Sequence, residues 1–71
     1  MFFKRLEDLR CDHDLTQIKV AEYLNMHYGV YSRYEKGIRE IPVWALIKLS
    51  ELYEVSVDYI LGITDSPERH A

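Results

Sequence analysis

The stretch LTQIKVAEYLNMHYGVYSRYEKG, from Leu15 to Gly37, decides the fold. Its apolar residues recur at three- and four-residue steps on either side of a break at Asn25 and Met26, which predicts two short amphipathic helices. Thr16 offers a hydroxyl to cap the first, from about Gln17 to Leu24, with Val20, Ala21 and Leu24 inward. The second covers roughly Tyr28 to Lys36 and stops at Gly37, which can take the left-handed conformation that follows a helix. Helices joined by so few residues must cross steeply. Ala21 supplies a small residue for the crossing, Asn25 tolerates positive φ in the turn, and Leu24 and Met26 pin the pair to a core.

Outward from this pair the chain continues as helices. Phe2, Phe3, Leu6 and Leu9 give a first helix, which the turn-forming residues CDHD at 11–14 are expected to interrupt. IREIP at 38–42 reads as an extended loop, because the residue before a proline is pushed out of the helical region. Pro42 then suits the first position of a fourth helix running to about Tyr53, with Val43, Leu46, Ile47, Leu49 and Tyr53 mostly inward. Ser56 caps a short fifth helix and Gly62 ends it. No strand pattern is present, so the expected class is all-α: one five-helix domain over residues 1–62, with 63–71 as a fraying tail.

Composition sets the outer bounds. A chain of 71 residues with 48% hydrophobic content makes one small domain with a modest core. A single cysteine, Cys11, allows no internal disulfide and fits a reducing, cytoplasmic setting. The N-terminus carries charges too early for a signal peptide, and no apolar run is long enough for a membrane span. The net charge of −3 is uneven: residues 1–39 hold seven of the nine basic residues against six of the twelve acidic ones. The first half can therefore present a basic face although the whole is acidic.

The third helix carries the functional signal. Val30, Tyr31 and Tyr34 make one face by helical repeat, and Tyr28, Gly29, Ser32, Arg33 and Lys36 make the other. An arginine can donate to guanine O6 and N7, a serine can reach a base or a phosphate, and a glycine admits base edges closely. That face suits a DNA groove.

LTQIKVAEYL, YSRYEKG and IPVWALIKLSELYEVSVDYILG together resemble the helix-turn-helix family of Cro proteins and phage repressors, over residues 4–62. The resemblance implies a domain that binds operator DNA, usually as a dimer, with the third helix in the major groove. It places Gln17 as a phosphate contact and Tyr28, Gly29, Ser32 and Arg33 as base readers. His27, counted with the candidate DNA contacts, stands where the family commonly has a serine or threonine cap, and Trp44 where a charged residue is common, leaving an indole at the surface. Gly29 costs its helix up to about 1 kcal/mol in propensity.

Around these residues, Arg39 and Lys36 are candidates for phosphate contact, although Lys36 could serve only the helix dipole. Glu35 is expected in an interior or loop-directed salt bridge. Val57, Tyr59, Ile60, Leu61 and Ile63 offer more apolar surface than so short a helix can bury, which predicts a homodimer interface. Cys11 with His13 suggests a nucleophile or a metal site, but a short chain offers little room for a cleft, and His27 and His70 are too scattered to complete a ligand set. No catalysis, cofactor, metal or small-molecule ligand is expected. The expected function is sequence-specific binding of double-stranded DNA as a transcriptional regulator. The alternative is a protein-binding module, such as the antitoxin of a toxin–antitoxin pair.

Overall fold

A computed structural model of the chain describes residues 2–68. Five helices follow one another: α1 Lys4–Asp12, α2 Gln17–Tyr23, α3 Tyr28–Glu35, α4 Val43–Tyr53 and α5 Val57–Leu61. Among the described residues there is no strand. The all-α class and the five elements are those the sequence predicts. Thr16 Oγ1 accepts from Lys19 N at 3.1 Å and Ser56 Oγ from Tyr59 N at 3.0 Å, so both expected hydroxyl caps are in place.

Each helix is followed by one residue in the left-handed region: Asp14, Asn25, Gly37, Glu54 and Gly62. In α2, Met26 N donates to Ala21 O and Asn25 N to Glu22 O, both at 3.0 Å, the paired bonds of a Schellman cap. The same device closes α3, where Ile38 N reaches Arg33 O at 3.0 Å and Gly37 N reaches Tyr34 O at 3.1 Å. Gly37 is required twice over. Its φ is +77°, and a Cβ there would lie 2.9 Å from Phe2 Cα.

Three expectations are corrected. The first helix continues through Cys11 and Asp12, because its exposed last turn tolerates polar residues and the reversal waits for Asp14. Val43 and Ile47 are exposed, not inward; Ala45, Leu46, Leu49 and Tyr53 form the buried face of α4. The stretch expected to fray is tied down at 64–67. Arg5 Nη1 donates to Tyr59 O (2.8 Å) and Thr64 O (2.6 Å), Arg5 Nη2 donates to Asp65 Oδ1 (2.7 Å), and Ser56 N donates to Pro67 O (3.1 Å). Residues 69–71 of that tail, with His70, lie outside the described residues.

Leu6, Val20, Tyr31, Ala45, Leu49 and Ile60 are the centre of one core to which all five helices contribute. Tyr31 and Tyr53 are buried there, and neither hydroxyl has a hydrogen-bond partner among the described residues. Burial first, and the nearby Glu35 carboxylate second, push both phenols well above the ordinary tyrosine value. In the unfolded chain they ionise near pH 10, so above that pH the folded state holds more protons and loses stability. Stability is full below about pH 10 and falls as pH rises beyond it. A base titration followed by circular dichroism should show a steeper loss in the wild type than in a Tyr31→Phe/Tyr53→Phe variant. Equal slopes would show that other groups govern alkaline unfolding.

Candidate nucleic-acid interface

The interface is built from the pair α2–α3 and the loop behind it. Asn25 turns the chain with φ +56°, which lets α3 cross α2 over the buried Ala21. His27 caps α3 with its side chain: Nδ1 accepts from Gly29 N at 3.0 Å. Tyr28, Arg33 and Lys36 of α3 are exposed, Gly29 and Val30 are half-buried, and Arg39 is exposed in the following loop. Among the described residues, Arg33, Lys36 and Arg39 form no ion pair, whereas Arg5 and Arg10 do. Cations left free on one side of a domain are what a polyanion requires.

Ser32 is not on that side. It is 7% exposed and shares the inward arc of α3 with Tyr31 and Glu35. Val30 is half-buried at the edge of that arc. Placing Ser32 outward is therefore corrected. Trp44 is 49% exposed, as the sequence predicts.

Beneath α3 lies a charged network. Glu35, 2% exposed, accepts from Arg10 Nε at 3.0 Å and from Arg10 Nη2 at 2.9 Å, a two-pronged pair that joins α3 to α1. Arg10 Nη1 also donates to Leu15 O at 2.9 Å, fixing the approach to α2. The carboxylate, through these hydrogen bonds above all, raises the Arg10 pKa above its ordinary value. Gln17 Nε2 donates to Glu35 Oε1 at 3.2 Å. One amide hydrogen is thus committed inside, and the other is left for a partner outside. The expected salt bridge of Glu35 is present. Arg10 escaped the sequence reading, although its place four residues after Leu6 puts it on the buried side of α1.

Comparison with known proteins follows this geometry. A family model described as "Helix-turn-helix" matches residues 6–60, most of the chain. The chain belongs to the helix-turn-helix family. It is 43% identical over 68 residues to the HTH-type transcriptional regulator YobD of Bacillus subtilis (strain 168), covering 96% of this chain and 61% of that protein. The HTH-type transcriptional regulator ImmR of the same organism is 44% identical over 59 residues, 83% of this chain and 46% of that protein. The cryptic phage CTXphi transcriptional repressor RstR of Vibrio cholerae is 33% identical over 66 residues, 93% and 60% respectively. The chain spans about half to three-fifths of the length of these relatives.

Of the apolar residues expected at a dimer interface, Ile63 is 72% exposed, and Val57, Tyr59 and Leu61 are half-buried. Ile60 is 1% exposed and belongs to the protomer's own core, so its place in an interface is corrected. The Tyr59 ring is already covered on one face by Arg5, whose guanidinium carbon lies 4.1 Å from the ring centroid. Elsewhere, no group of three or more His, Cys, Asp or Glu side chains suited to a metal occurs among the described residues. No described helix is long and apolar enough to cross a membrane.

Proposed function

We propose that the chain is a sequence-specific, double-stranded DNA-binding transcriptional regulator, a repressor that acts as a homodimer on a palindromic operator. The observation that carries this reading is the exposed set on α3: Arg33 and Lys36 stand clear of the core with half-buried Gly29 beside them, and Tyr28 is exposed at the first position of the helix. The regulators and the repressor to which the chain is similar support it. In this reading α3 enters the major groove. Arg33 donates to a guanine, Tyr28 and Gly29 meet neighbouring base edges, and Val30 at the rim packs on a thymine methyl. Gln17 and Arg39 hold phosphates, Lys36 adds charge beside the groove, and Ser32 contributes only if the groove uncovers it.

Dimerisation is assigned to Ile63 with Val57, Leu61 and the free face of Tyr59. A two-fold pair would set its recognition helices about one DNA turn, roughly 34 Å, apart. Sedimentation at tens of micromolar should give a dimer, and Ile63→Asp should shift it toward monomer. A monomer both with and without operator ends this assignment.

A second reading has its own observation. Val43, Trp44 and Ile47 make an exposed apolar stripe on α4, of the kind a protein partner would cover. Band shifts with genomic fragments, set against pull-down of a protein partner, separate the two. Retardation of a discrete set of fragments supports the regulator; a stoichiometric protein complex without retardation supports the binding module.

A further inference from the structure

His27 and Gly29 make one device. A Cβ at position 29 would stand 3.3 Å from His27 Nδ1, tighter than ordinary packing, so the glycine gives the ring room to fold back over the start of α3. There Nδ1 accepts from Gly29 N at 3.0 Å. Such a bond needs an unprotonated Nδ1, which puts the proton of the neutral ring on Nε2. A serine or threonine in this place accepts at every pH. A histidine accepts only while neutral, and histidine changes charge between about pH 5 and 8. Once the ring is protonated, an N–H on Nδ1 faces the N–H of Gly29, and a positive charge stands at the positive end of the helix.

Among the described residues no carboxylate lies within ion-pair distance of His27. On α3 itself Glu35 is engaged by Arg10 from α1, and Arg33 and Lys36 are cations of the same sign. On α2, Glu22 lies 3.9 Å from Lys19. Neither carboxylate, Glu22 or Glu35, forms an ion pair with His27.

We propose that His27 is a positioning residue for sequence recognition, and that its protonation releases the first turn of α3 and lowers discrimination between DNA sequences. The proposal rests on the DNA-binding reading and adds a control to it. Tyr28 and Gly29 lie in the turn that the ring holds. Losing the cap frees them where bases would be read, while the added charge attracts phosphates of any sequence. Acidification therefore exchanges specific for non-specific binding.

The test measures the ratio of affinities for a selected site and a scrambled duplex at pH 8 and pH 5.5. The ratio should fall about threefold to fivefold in the wild type, the scale of one N-cap over that range. The salt slope for scrambled DNA should steepen by up to about one unit. His27→Ser keeps an acceptor at all pH values, so its ratio at pH 5.5 should equal its own ratio at pH 8. A constant wild-type ratio, or an equal fall in His27→Ser, overturns the proposal. A measurement without DNA separates its failure from that of the DNA-binding reading. In the free protein the Gly29 amide resonance should move together with the His27 ring resonances as the pH is lowered. An amide that ignores the ring also overturns the proposal, whether or not any DNA is bound.

Discussion

Arg10→Met is expected to lower stability by about 3–5 kcal/mol, the cost of leaving a buried charge without its partner. Glu35 is almost fully buried, and three of its four side-chain hydrogen bonds come from Arg10. With methionine at position 10 only the Gln17 amide remains, and a neutral donor does not compensate a carboxylate. A domain of this length has a total stability of about 4–10 kcal/mol, so much of it would be lost. Urea unfolding should show a lower midpoint with an unchanged slope. Replacing both residues, as Arg10→Met with Glu35→Leu, should recover most of the loss, because the pair as a whole gains little over apolar packing. The double variant should still bind DNA less well, since Gln17 would have lost its internal anchor. A loss under about 1 kcal/mol for Arg10→Met would place the pair among solvated surface bridges. The network could then not be what joins α1 to α3.

Arg33→Ala and Gln17→Ala are expected to fail differently on DNA. Arg33 lies one turn beyond Gly29 on the exposed arc of α3. A guanidinium there can lie in the plane of a base pair and donate twice to one guanine. Its loss should cost about 1–3 kcal/mol on the preferred site and relax preference at that base. Gln17 is uncharged and held by Glu35; in the proposed reading it addresses the DNA backbone, so its loss should weaken all sequences by a similar factor. The salt slope distinguishes the roles again. Removing Arg33 should leave it nearly unchanged for a base contact and flatten it by about one unit for a phosphate contact. Equal weakening on cognate and scrambled DNA, with a flatter slope, would make Arg33 a backbone anchor.

How far the sequence carries depends on whether the deciding physics is local. The caps at Thr16 and Ser56 and the stops at Asn25, Gly37 and Gly62 are short-range chemistry, and each stands where the sequence puts it. Asp14 takes the same left-handed conformation within the turn-forming run CDHD, whereas Glu54 takes it without a residue type that announces it. The buried arc of α3 is likewise not announced locally. Periodicity assigns Tyr31 and Tyr34 to the core, but the exact arc depends on Glu35 reaching Arg10 from another helix. Ser32 falls inside that arc. From the sequence Ile60 reads as available for a partner on so short a helix, whereas it is buried in the core shared with the neighbouring helices. The histidine cap was visible only as a departure from pattern until the ring was seen over Gly29.

The central claim is that the outward arc of α3 reads bases. Selection of bound duplexes from a randomised pool, run in parallel with wild type and Arg33→Ala, tests it most directly. The wild type should enrich a two-fold-related pair of half-sites with centres about one DNA turn apart, each with a required guanine. Arg33→Ala should enrich the same half-sites with that one position relaxed. A pool that stays unenriched with the wild type, or an Arg33→Ala selection that demands the same base at every position, would contradict the account.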